Sequence, residues 1–238
     1  MNDFVDAIQF IFRSQESQAG GARIGGAENL PLLWDHLEVT GAAMLLAIAI
    51  ALPVGLILGH TGRGAFAAIS VSNVGRAVPS VALIAFFIAF FPRTSAFVNV
   101  TLALALLAIP PILTNAYVGV RQVSTDATDA ARGMGMSHGQ IIRHVELPLA
   151  LPLIFGGIKI STVNVIATAT IAPLVGVLTL GDPIISGSVY GRAGQIGASI
   201  IVAALAVAAE VGLSAVQRAV TPTGVKLQNP KRRAQTSP

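Results

Sequence analysis

The chain contains no cysteine among its 238 residues. That excludes a disulfide framework and any thiolate metal centre. Charge is scarce as well. Asp, Glu, Lys and Arg make up 11% of the residues, against about 25% in a soluble domain. A shortage this deep means that much of the surface meets lipid. Only four His and 11 acidic residues are left for any chemistry. Two Tyr and one Trp, with no basic-aromatic alternation and a net charge of only +4, give no footprint for a nucleic acid. The first residues do not read as a secretory signal, because Asp3 and Asp6 stand where a basic stretch belongs and no small-residue cleavage site follows.

What the chain does have is apolar length. Uncharged or nearly uncharged stretches at about 39–59, 71–91, 96–120, 151–175 and 195–217 predict five membrane spans, since roughly 20 apolar residues cross a bilayer. Every backbone polar group in lipid needs an internal partner, so these spans must be helices. Before them, Phe4, Val5, Ile8, Ile11 and Phe12 share a helical face, which predicts a short helix lying in the membrane interface. Residues 14–29, rich in Gly, Ser and Gln, read as a flexible connection. The expected organisation is therefore an N-terminal helix and connection (1–35), a membrane domain (36–220) and a basic tail (221–238). Gly55 and Gly59 are spaced for close helix packing. Pro53, Pro79, Pro110, Pro111 and Pro173 interrupt helical hydrogen bonding.

Positive charge sets the orientation. With the N-terminus outside, Arg63, Arg76, Arg121, Arg132, Arg143, Arg218, Lys226, Lys231, Arg232 and Arg233 fall on the inner side. Only Arg13, Arg23, Arg93 and Arg192 fall outside. Lys and Arg favour the cytoplasmic face, so the N-terminus is expected outside and the C-terminus inside. The polar loop 121–148 then lies in the cytoplasm.

That loop carries helix signals. Ser124 or Thr125 can cap a helix whose first turns hold Asp126 and Asp129. Gly133 and Gly135 allow a sharp turn, Ser137 and Gln140 fit a capping box, and Leu147-Pro148 should end the second short helix. Asp129-Ala130-Ala131, three residues, Gly135, nine residues, Val145, one residue and Leu147-Pro148 also follow a known pattern. It resembles the coupling loop of ATP-binding-cassette importer permeases, with Asp for the usual Glu and Val for the usual Ile. Trp34-Asp35-His36-Leu37 leading to Leu52-Pro53-Val54-Gly55, Arg76-Ala77-Val78-Pro79-Ser80-Val81-Ala82-Leu83 and Val165 to Ala172 resemble the glycine betaine/choline branch. The resemblance covers about 33–223. The branch often has Gly-Gly-Leu-Gly after the fourth span, where this chain has Val177-Leu178-Thr179-Leu180-Gly181-Asp182.

The resemblance implies an all-α membrane protein, a type I importer bundle of five core helices plus the N-terminal interfacial helix. It implies that the loop docks on a separate ATPase subunit, which binds ATP and Mg. The chain has no phosphate loop of its own: Gly156-Gly157-Ile158-Lys159 does not fit one. A second permease subunit, identical or paralogous, and an extracytoplasmic solute-binding protein complete the expected assembly in the cell membrane. On the outer side, Asp182, Tyr190 and Arg192 would meet the binding protein.

Two charges fall inside spans. Lys159 and Glu210 lie roughly 10 to 15 Å from the inner ends at 1.5 Å per residue. Such groups face protein or water and pair with one another, so a Lys159–Glu210 pair is expected, with snorkelling of Lys159 to the headgroups as the alternative. Pro79, Ser80, Asn164 and Thr168 are candidates for lining the route, while Thr and Ser also bond to their own helix. The same machinery could carry an amino acid instead. A secondary transporter should show inverted repeats and more intramembrane ionisable groups, and neither is present. A membrane enzyme would need catalytic residue types that do not converge here.

Overall fold

The chain folds in a computed structural model as a helical bundle in which residues 2–63, 70 and 78–221 are described. Arg76, most of the predicted second span's first half and the basic tail from residue 222 fall outside the described residues. In order, α1 (Asn2–Phe12) leads to a two-stranded antiparallel ribbon, β1 (Gln15–Glu16) with β2 (Arg23–Ile24). Next come α2 (Asn29–Thr61), α3 (Ser80–Phe90), α4 (Ala96–Arg121), α5 (Thr125–Gly133), α6 (His138–Ile141) and α7 (Leu147–Ala169). A four-residue α8 (Asp182–Ile185) and the long α9 (Gly187–Val220), which kinks where Gly191 takes φ 64°, are the last of the described elements.

Among the described residues, four helical stretches are long and apolar enough to cross a membrane: Gly26–Thr61, Ala96–Arg121, His138–Ala169 and Gly187–Val220. The short apolar α3 stands in the position of the remaining predicted span. α2 starts ten residues before the predicted first span and runs unbroken across the boundary drawn at residue 35. Leu30, Leu33 and Trp34 extend the apolar run, and no Pro after Pro31 interrupts the helix until Pro53, with Gly41 the one glycine between them.

The predicted loose connection is folded. Gly20, Gly21, Gly25 and Gly26 all take positive φ, which only glycine adopts freely. They fold the segment into the ribbon, and Ser17 then donates through Oγ to the Val189 carbonyl at 3.0 Å. α1 packs through Ala7 and Phe10, both fully buried, on Gly194 and Gly197 of α9. Phe4, Val5, Ile8 and Phe12 point outward, as an interfacial helix requires.

The core sits around α4, which packs against α2 on one side and α7 on the other. Small residues permit this. A Cβ on Gly55 would lie 2.6 Å from Ala116 Cβ, and one on Gly59 2.6 Å from Val120 Cβ. On the other side, a Cβ on Gly157 would lie 2.6 Å from the Pro111 carbonyl oxygen. Ser161 adds a buried bond from its Oγ to the Ala108 carbonyl at 2.8 Å. Where hydrophobic driving force between helices is absent, backbone approach and interhelical hydrogen bonds hold spans together.

These distances yield a prediction. Gly59→Val should cost about 1–3 kcal/mol, because the added methyls meet α4 with no room to yield. Gly212→Ala, which meets nothing within 4 Å, should leave stability equal or raised by up to about 1 kcal/mol through helix propensity. Thermal unfolding of the purified protein in detergent separates the two.

Candidate functional site

The polar segment between α4 and α7 is built from local rules. Ser124 caps α5, its Oγ accepting from the Ala127 N–H at 3.3 Å. α5 ends in a Schellman pattern: the Met136 N–H reaches the Ala131 carbonyl at 3.1 Å and the Gly135 N–H reaches that of Arg132 at 2.9 Å. Gly135 takes φ 80° to close it. Space is not the reason for glycine here, since a Cβ would meet nothing within 4 Å. The left-handed backbone is the reason. Gly133 remains inside the helix, so the turn depends on Gly135 alone. Ser137 and Gln140 form the expected capping box on α6.

The second short helix does not end at Leu147-Pro148. Residues 142–146 form one π-helical turn and continue directly into α7, with Pro148 within its first turn. Proline cannot donate to the carbonyl four residues back, and a locally widened turn just before it keeps the chain helical. The segment from His138 to Ala169 is thus one continuous helical element.

The motif residues divide by exposure. Asp129, Ala130 and Gly135 are exposed, Ala131 is buried, and Val145, Leu147 and Pro148 are half-buried. Asp129 pairs with Arg132 one turn on, at 2.8 Å in the open, a contact of little energetic weight. Met134 stands 75% exposed at the end of α5. Together Ala130, Met134 and Gly135 present a small, partly apolar outer face.

Three residues that the sequence did not single out hold this segment to the bundle. The Glu146 side chain, in the π turn, is almost fully buried, and both its oxygens lie 2.9 Å from His60 Nδ1. His60 sits in the last turn of α2. Its Nε2 lies 2.9 Å from His138 Nδ1 at the start of α6. A carboxylate accepts only, so the proton between Glu146 and His60 belongs to the ring. The chain Glu146–His60–His138 joins α2 to both halves of the elbow. Glu146 occupied an unspecified position in the motif, and His60 lies 86 residues away. A lone acid flanked by Val145 and Leu147 was the available signal.

The intramembrane pair does not form. Lys159 Nζ donates to Gln217 Oε1 at 2.9 Å and to Ser214 Oγ at 3.3 Å, not to Glu210. Both acceptors lie beyond Glu210 toward the end of α9, so the long stem carries the ammonium that way, as in snorkelling. Glu210 is exposed, yet it lines the same groove as Lys159 and Asn164. Of the other route candidates, Asn164 is exposed and Thr168 half-buried on α7, while Pro79 and Ser80 form the start of α3, which packs on α4. At the far end, Tyr190 donates to Asp182 Oδ2 at 2.8 Å. Arg192 instead lies 3.6 Å from Asp3, exposed.

Residues 40–222 match the family model described as the binding-protein-dependent transport system inner membrane component. The chain belongs to this family. It is 34% identical over 202 residues to the choline transport system permease protein OpuBB of Bacillus subtilis (strain 168), covering 84% of this chain and 92% of that one. It is 37% identical over 194 residues to the carnitine transport permease protein OpuCB of Listeria monocytogenes, covering 81% and 88%. Among solved structures, an inward-facing MetNI methionine ABC transporter superposes with TM-score 0.70 at 22% identity, over 82% of this chain and 96% of that chain. The fold is therefore that of an importer permease, and the chain is a multi-pass membrane protein.

Two substitutions test the elbow. Gly135→Val should cost about 1–2 kcal/mol by forcing a β-branched residue into the left-handed region, while Gly135→Asn should cost less than half of that. Glu146→Ala should cost about 1–3 kcal/mol by stranding the buried His60 ring. Shifts in thermal midpoint check both.

Proposed function

We propose that this chain is the membrane-spanning subunit of an ATP-driven, binding-protein-dependent importer for small quaternary-ammonium osmoprotectants. In this reading a separate ATPase subunit binds ATP and Mg and seats α5 in a cleft. A second permease subunit, identical or paralogous, supplies the other half of the route, and an extracytoplasmic protein delivers the solute. The polar elbow faces the cytoplasm, with the N-terminus outside and the C-terminus inside. The observation that carries the reading is the capped α5 helix, offering the outer face of Ala130, Met134 and Gly135 and joined by the Gly135 turn to the continuous element that contains α7.

The mechanics follow from the connections. A push on α5 passes through the Gly135 turn into the continuous His138–Ala169 element, and through Glu146–His60 into α2. Two spans receive one displacement. The named cargoes of the relatives, choline and carnitine, favour a permanent cation as the solute. The methionine and amino acid neighbours share only the fold at this level of identity.

Co-expression with the candidate ATPase gives the test. Ala130→Trp on the outer face of α5 should lower co-purification of the ATPase at least tenfold while the chain stays in the membrane. Because the chain has no native cysteine, Met134→Cys should be labelled by an impermeant maleimide in inverted vesicles and not in right-side-out ones. Undiminished co-purification, or labelling only from the exterior, sinks the reading.

A further inference from the structure

The groove between α7 and α9 holds three polar groups that lipid cannot satisfy. It has a volume of about 430 Å³ and is lined by Gly156, Lys159, Ile160, Val163, Asn164 and Glu210. Glu210 lies eight residues before Arg218 on α9, or roughly 12 Å deeper at 1.5 Å per residue. None of the three ion pairs among the described residues includes it. The Asn164 amide is exposed on α7 between Val163 and Val165. Around them the outward face of α9 is apolar, with Val207 and Val211 well exposed. A carboxylate and an amide at this depth face water or protein, not hydrocarbon.

Lys159 adds the missing sign. Its ammonium has three N–H donors, and two are used by Ser214 and Gln217. One remains. The groove therefore offers a carboxylate at one place, and an ammonium N–H with an amide N–H at another. Its walls carry no aromatic ring, so a quaternary ammonium, which has no N–H to donate, must be met there by charge alone and not by a cation–π face. A volume of this order suits a small ligand.

We propose that this groove is a solute subsite on the transport route, built for a small zwitterion: Glu210 takes the quaternary ammonium, and Lys159 with Asn164 takes the carboxylate. The inference rests on the importer reading of the preceding subsection and extends it to this chain's own selectivity. It also assigns the face: the Lys159, Asn164 and Glu210 side of α7 and α9 looks into the aqueous path. The separate binding protein selects first, and the groove selects again by charge at both ends of the solute. A cargo with the cation but no carboxylate uses only half of it.

The complete transporter, reconstituted with its ATPase and binding protein, tests this with carnitine and choline as probes. Glu210→Gln is expected to lower import of both at least tenfold, with Glu210→Asp restoring a substantial part. Lys159→Met is expected to lower the ratio of carnitine to choline import at least tenfold. Size-exclusion chromatography confirms that each variant complex is intact. If Glu210→Gln imports as the parent does, if Lys159→Met depresses both cargoes equally, or if either variant dissolves the permease pair, the subsite is refuted and the groove is structural. If the unaltered complex imports neither probe, the importer reading itself fails, which is a separate result.

Discussion

Between His138 and Ala169 the chain never leaves the helical path, and the proposed function depends on this. Pro148 lies inside this continuous element, where a proline would ordinarily break the helix. The π turn at 142–146 absorbs the missing hydrogen bond, so a force applied at the elbow is not lost at a hinge. The same π turn carries Glu146, and its buried carboxylate clasps His60 at the end of α2. One irregularity thus both preserves continuity and creates the lateral tie.

The bundle above is arranged to receive that displacement. α4 is gripped by α2 through Gly55 and Gly59 and by α7 through Gly157 and Ser161. Close backbone approach leaves little slack, because packed interiors yield poorly to strain. α9 is joined less densely, and its contact with α7 includes the polar bridge from Lys159 to Ser214 and Gln217. The groove beside that bridge is where helices moving relative to one another would change the environment of Glu210 and Asn164.

Much of this was legible in the residues. The long apolar runs give the crossing helices, Ser124 and the Ser137–Gln140 box give the short helix starts, and the Gly135 spacing gives the turn. Other parts were not. Residues 14–29 have a loop's composition, and only the positive φ of four glycines turns them into an ordered ribbon docked on Val189. Leu147-Pro148 reads as a terminator because a π turn has no local sequence signature. The His60–Glu146 clasp joins residues 86 apart, a distance no periodicity encodes. Lys159 and Glu210 suggested each other by charge, but a four-carbon stem follows its nearest acceptors, and those are Ser214 and Gln217.

Spin labels at Met134→Cys on the elbow and Leu45→Cys on the outer face of α2, both exposed sites in a chain without native cysteine, measure the central claim. If the elbow and α2 move as one body, the distance distribution between the two labels in the assembled transporter keeps its mean and width with and without ATP. A shift or broadening of that distribution on nucleotide binding would show a flexible joint and contradict the account.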